Sequence, residues 1–142
     1  MARSWSLVPI GLAAASLQGC QFFSCGDDAT QRAVSPDGQR VAVSFVRNCG
    51  ATTDFSTHVT LANAGEKADD SDAIFVAQAG SAPRTPQGGP RAQLRWLGPS
   101  HLLVSYDFGA NVAFQAIRAR DVTIDYAVAG APAKAQAGAS VR

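Results

Sequence analysis

The segment Ser35 to Thr53 reads SPDGQRVAVSFVRNCGATT. Its first four residues suit the four positions of a type I β-turn: serine accepts locally, proline presets φ, aspartate tolerates the bridge region, and glycine leaves the turn. In a hairpin such a turn often adds a bulge, with Gly38 in the left-handed conformation. Gln39–Arg47 then reads as a strand. Val41, Val43 and Phe45 form an apolar face, opposite Arg40, Ala42 and Ser44. With Gln31–Val34 as the partner strand, Ser35 opposes Gln39. Carried outward, that register sets Cys25 against Cys49 at a hydrogen-bonded pair. Opposed Cβ atoms lie about 4.5–5.5 Å apart, close to the roughly 3.5–4.5 Å a disulfide spans. The intervening "CGDD" is not strand-like, and a ladder that stops short of it would leave the pair unaligned.

Working outward, the pattern stays that of short strands. After Cys20 no segment of ten residues carries helical periodicity. Strands are expected over Ser56–Ala62, with Val59 and Leu61 inward and His58 and Thr60 outward. Others are expected over Ile74–Ala77, Ala92–Leu97, His101–Tyr106, Val112–Ile117 and Val122–Ala127. Leu94 and Trp96 share one face. Val122, Ile124 and Tyr126 share another, opposite Thr123 and Asp125. Strands near six residues with turns about every ten predict an all-β domain. Its form is a small antiparallel sheet, a sandwich or a partly closed barrel of about six to eight short strands. Asn63–Asp72 reads as a polar, acidic loop. Gly80–Arg91, with three prolines and three glycines in its neighbourhood, reads as a long loop.

The chain has 142 residues, a net charge of +1 and 46% hydrophobic residues, many of them alanine. That suits one domain with a modest core, for which a covalent staple matters. There is no basic run of even three residues, so neither a nucleic acid nor a polybasic lipid site is expected. The N-terminus sets the compartment. Arg3 precedes an apolar run from Trp5 to Leu17, the length of a signal-peptide core and short for a bilayer span. Leu17-Gln18-Gly19-Cys20 then resembles the lipobox of bacterial lipoproteins, with Gln18 at the −2 position. The resemblance implies cleavage before Cys20, lipid attachment at Cys20, and anchoring in the envelope. Gln21, not being aspartate, points to the outer membrane. An ordinary cleaved signal and an uncleaved anchor are the alternatives, and all three place the domain outside the cytoplasm. The expected organisation is a signal peptide over 1–19, a linker over 20–28, one β domain over 29–128, and a disordered Ala-rich tail over 129–142.

With Cys20 lipidated, two of the three cysteines remain in an oxidising compartment. This supports a Cys25–Cys49 bridge over the rival reading, a nucleophilic Cys49 with His58 or His101 as base. The set "SPDG", "NCGATTDFSTHV", "GGP" and "LRWL..SHLLVSY" is similar to a group of small uncharacterised bacterial proteins. The likeness spans roughly Ser35–Tyr106 and is most distinctive at Cys49–Thr53 and Phe55–Thr57. It implies a domain boundary and no activity. A weaker likeness of "SPDGQRVAVSF" to one propeller blade fails on length, since a propeller needs at least four blades of about 40 residues.

Chemistry-bearing clusters are few. Asp69, Asp70 and Asp72 lie on one loop, but the glycine and bidentate glutamate of an EF-hand are missing, so a solvated loop is expected. The two histidines, His58 and His101, do not make a zinc set. No nucleophile elbow, P-loop or dinucleotide fingerprint occurs. No cofactor and no catalytic residue are expected. Thr52, Thr53, Asp54, Ser56 and Thr57 form a polar cluster directly after Cys49. It either satisfies local backbone or, with Arg84 and Arg91, makes a recognition surface. The function expected from sequence is that of a structural or protein-interacting envelope lipoprotein, with the membrane reached through its lipid. A periplasmic inhibitor or ligand-binding module presenting the 80–91 loop is the alternative.

Overall fold

The computed structural model describes residues 25–132. The expected signal peptide, Cys20 and the tail from residue 133 onward lie outside the described residues. Nine strands follow one another: β1 Gly26–Val34, β2 Arg40–Asn48, β3 Ser56–Asn63, β4 Ala73–Gln78, β5 Ala92–Gly98, β6 His101–Asp107, β7 Asn111–Gln115, β8 Arg118–Ala119 and β9 Val122–Ala129. A single 3-10 turn, Asp70–Asp72, precedes β4. The domain thus begins at Gly26 and ends at Ala129, taking "GDD" into β1 where sequence left it in a linker. The two-residue β8 accounts for the strand beyond the expected count.

The strands form two sheets, β1-β2-β3-β4-β7 and β5-β6-β9-β8. They face each other as a sandwich and do not close into a barrel. All pairings are antiparallel except β6 with β9, which the chain reaches by crossing from the first sheet through residues 115–119. Between the layers lie Ala42, Val59, Leu61, Ile74, Phe75 and Ala77 from one sheet, and Ala92, Leu94, Leu102, Val104, Val122 and Ile124 from the other. Phe75 sits at the centre, fully buried, its ring 5.1 Å from Tyr106 and 5.9 Å from Tyr126.

Side chains seal the two long seams. The Gln31 amide donates to Leu94 O at 2.9 Å and accepts from Leu94 N at 2.8 Å. It thereby acts as a one-residue strand between the edges of β1 and β5. Trp96 Nε1 donates to Ala33 O, 3.2 Å away, along the same seam. On the other side the Tyr126 hydroxyl lies 2.8 Å from Ile74 O and 2.9 Å from Ala116 O, one proton serving two carbonyls. Burial pushes this phenol well above the usual tyrosine pKa.

Two expectations about β2 are corrected. First, Ser35 pairs with Arg40 and not Gln39: Ser35 N donates to Arg40 O at 2.9 Å, and Arg40 N donates to Ser35 Oγ at 2.9 Å. The turn is otherwise as read, with Gly38 N on Ser35 O at 2.8 Å and Gly38 at φ +73°. The register error is cancelled by a bulge at Thr30, between the Ala29–Phe45 and Gln31–Ser44 pairs. Beyond it the ladder runs to Gly26–Asn48, and Cys25 and Cys49 form a disulfide with Cα atoms 4.2 Å apart. That separation matches the closer, non-hydrogen-bonded kind of antiparallel pair.

Second, the faces of β2 are exchanged. Ala42, Ser44 and Val46 point into the sandwich, while Val43 and Phe45 lie on its outer side, half-covered. Ala42 and Ser44 of this inner face pair with Ala33 and Gln31 of β1, the residues that carry the seam to β5. Ser44 Oγ is satisfied by Thr30 Oγ1 at 2.6 Å. The larger apolar residues outside are covered by the 63–72 loop, which folds back over β2 and β3.

Candidate interaction surfaces

All the loops that follow β2, precede β5 and join β6 to β7 gather at one end, with the disulfide. This disulfide end carries residues 49–55, 79–91 and 108–110, and β9 also leaves from it. The opposite end carries the SPDG turn, residues 63–72, Pro99–Ser100 and Arg120–Asp121.

The expected recognition residues separate into structural and free groups. Asn48 Oδ1 accepts from Gly50 N at 2.9 Å, and the Thr53 amide and hydroxyl both donate to Gly50 O at 3.2 Å. These bonds shape the CGATT turn, with Gly50 at φ +105°. Thr57 is buried and donates from Oγ1 to Pro90 O at 2.5 Å. A Cβ on Gly88 would lie 2.9 Å from the Phe55 ring, and one on Gly89 would lie 2.5 Å from Thr57 Oγ1. The Phe-Ser-Thr and Gly-Gly-Pro motifs therefore interlock, and the second exists as glycines because the first leaves no room. The 84–90 stretch is itself closed by Thr85 N to Gly89 O and Gly88 N to Thr85 O, both 2.8 Å.

Arg91 stays exposed but is ion-paired with the buried Asp107 at 2.7 Å, and with Arg84 it lines a cleft of about 310 Å³. Ser56 is bonded to His58 Nε2 at 2.9 Å. What remains is a cleft of about 540 Å³ lined by Asn48, Gly50, Ala51, Thr53, Asp54, Phe55 and Arg84. Arg84 donates to Gly88 O at 3.1 Å and has no acidic partner among the described residues; the Asp54 side chain has no polar partner there. Thr52 is exposed beside it.

The second surface was not foreseen from sequence. On the outer face of the larger sheet, successive pairings align Ala29, Phe45, His58, Val76 and Phe114 in one row across all five strands. Phe45 and His58 stack at 5.3 Å, and the Arg47 guanidinium lies 5.3 Å from the Phe45 ring. Burial, and then the Arg47 charge, hold His58 below the usual histidine pKa. Arg47 itself bonds Asp27 at 2.8 Å and Asp70 at 2.6 Å. Its hydrogen bond lowers the Asp27 pKa. Thus Asp70 is paired, where a solvated loop was expected. Asp72 is paired likewise with Arg120 at 2.6 Å, and Asp69 caps the 3-10 turn through Ser71 N at 2.7 Å. The loop is an ion-paired strap, and with Ala68 it shelters a cleft of about 230 Å³ over Val43, Phe45 and Thr60. Beyond the strap the row continues to Phe114, on β7, which pairs only with β4.

Cys49 is held in the disulfide. Ser56–His58 is a serine–histidine contact on one strand, and no carboxylate is hydrogen-bonded to the second ring nitrogen to orient the base. His101 bonds Asp125 at 2.7 Å on the other sheet. Among the described residues no group of three or more His, Cys, Asp or Glu is placed to hold a metal ion. Compared with known protein families, curated proteins and solved structures, the chain matches none.

Proposed function

We propose that the chain is an envelope lipoprotein, anchored at Cys20, whose β domain is a non-catalytic protein-interaction module. One observation carries the reading: the apolar row across the larger sheet ends on an exposed phenylalanine at an open edge. Phe114 is 47% exposed, and β7 has no neighbour beyond it among the described residues. An unpaired edge offers a ladder of backbone donors and acceptors, and apolar side chains beside it add pockets for alternate residues of an incoming strand. On the β1 side the seam to β5 is closed by Gln31 and Trp96.

The test is a photo-crosslinking residue placed at Phe114 in the membrane-bound chain, with Leu97 on the smaller sheet as control. A discrete adduct from position 114 and none from 97 is the expected result. The same adducts from both, or none from 114, would end the reading. The anchor is tested separately, by the intact mass of the membrane-extracted chain and mapping of lipid to Cys20.

A second reading, a ligand-binding or inhibitory module at the 80–91 loop, draws on the cleft beside Arg84. Deleting that loop would also remove Gly89 and Pro90 from the core, so Arg84→Glu is the informative variant. It reverses the charge and keeps the 84–90 backbone, at the loss of one exposed hydrogen bond to Gly88 O.

A further inference from the structure

We infer that the anchored domain stands with its disulfide end on the bilayer, Phe108 in the interface and the Arg84 cleft turned to the lipid headgroups. This rests on the anchor at Cys20 proposed above. Only residues 21–24 separate Cys20 from Cys25. Five Cα steps span at most about 17 Å even fully extended. Cys25 is tied to Cys49, so the tether delivers the 49–55 turn, and not only the end of one strand, to the membrane. The sandwich is longer than its tether: β2 alone has nine residues, about 30 Å at the rise of a strand. The SPDG end therefore cannot be the nearer one.

A tether of that length still permits the domain to lie on its side. An exposed aromatic side chain on the tethered end argues against it, whereas Ile117, Val34, Leu97 and Phe114 are scattered over the rest of the domain. Phe108 is 49% exposed at the tip of the β6–β7 turn, on the end the tether holds. The turn is braced there, with Ser81 N on Gly109 O at 3.0 Å and no space for a Cβ at Gly109, which would lie 2.5 Å from Ser81 Oγ. An aromatic side chain fixed on a rigid tip suits the polar–apolar boundary of a bilayer. Arg84, at the same end and without an acidic partner, meets lipid phosphates at that depth. The outer face of the larger sheet and the β7 edge then stand upright and open to the side. The two readings of function are thereby ranked, since the Arg84 cleft is taken by headgroups and the β7 edge is free for a protein.

The experiment uses the whole lipidated chain in vesicles of phosphatidylethanolamine and phosphatidylglycerol whose acyl chains are brominated near the headgroup. Three variants, Phe108→Trp, Phe114→Trp and Leu97→Trp, replace side chains of matched exposure, at 49%, 47% and 44%. Each is compared with the parent, whose Trp96 sets the background. The expected result is loss of the added emission at 108 and none at 114 or 97. Equal quenching at 114 means the domain lies on its side, and no quenching at 108 means it stands clear; either overturns the orientation. Mass and flotation on the same samples separate the two proposals. A chain without lipid on Cys20 that does not float overturns both, whereas a lipidated, floating chain with the wrong quenching pattern overturns the orientation alone.

Discussion

Replacing Gly89 by alanine adds one methyl group to the most crowded point of the disulfide end. The new Cβ would lie 2.5 Å from Thr57 Oγ1 and 3.1 Å from both Val46 methyls, and both neighbours are 1% exposed. Gly89 is not in the left-handed region, so the effect is steric and not conformational. Overpacking of this kind costs about 1–3 kcal/mol. If Thr57 rotates away, its bond to Pro90 O is lost, and a buried group left unsatisfied adds about 1–3 kcal/mol. The two routes overlap, so about 2–4 kcal/mol is expected in total. For a domain near 100 residues this lowers Tm by roughly 10–25 °C. Urea unfolding followed by Trp96 emission measures it directly. Thr57→Ala alone should cost about 1–3 kcal/mol. The double variant Gly89→Ala/Thr57→Ala should be less destabilised than the sum by about 1 kcal/mol or more, because the clash partner is gone. A Gly89→Ala change within about 0.5 kcal/mol of the parent, or strict additivity, would refute the interlock of the two motifs.

Replacing both Cys25 and Cys49 by serine opens a link of sequence separation 24 and should remove about 3.5 kcal/mol in the chain-entropy model, read as a drop in urea midpoint. Tyr126→Phe strips Ala116 O of its buried donor and should cost about 1–3 kcal/mol. The phenol is held neutral in the fold, so its contribution to stability is constant below the unfolded tyrosine pKa near 10 and falls as pH rises above it. Tyr126→Phe should flatten that alkaline slope, and an unchanged slope would dismiss Tyr126 as its source. Asp27 and Asp72 are lowered first by hydrogen bonds from Arg47 and Arg120. Their stabilisation is therefore complete above about pH 4 and lost as pH falls through the lower folded values. Asn replacements at the two positions should flatten an acid titration followed by circular dichroism.

The strands were legible because alternation and turn chemistry are local. Leu94 and Trp96, or Val122, Ile124 and Tyr126, declare their shared face within a few residues, and the fold honours both sets. The β2 strand declared the wrong face, because Val41, Val43 and Phe45 outrank Ala42, Ser44 and Val46 in hydrophobicity while the second set faces the other layer. The outer set is covered instead by the loop that Arg47 pins through Asp70, a contact far away in sequence. The parallel β6–β9 pair was equally hidden, since it depends on residues 115–119 changing sheets. The cysteine pair was reached through a register wrong by one residue and a bulge that restored it. Thr30, whose hydroxyl meets Ser44 across the bulge, carries no turn signal that would have announced it.

That pattern bears on where function is to be sought. The most distinctive stretch of the chain runs through Cys-Gly-Ala-Thr-Thr, Phe-Ser-Thr and Gly-Gly-Pro, and invites reading as a binding motif. Its atoms are spent instead on one another. The cysteine holds β1 to β2, Thr53 closes its own turn, and Thr57 and Gly89 share a buried contact. Side chains that packing already explains have little freedom left for a ligand. The residues that packing does not explain are others: Phe108 on a braced tip, Phe114 on an open edge, and Arg84 without a carboxylate. None belongs to a motif, and all three sit where the fold meets its surroundings. With the proposed anchor at Cys20, a short tether ending at Cys25 would give two of them a common explanation, the membrane surface, and leave Phe114 for a protein.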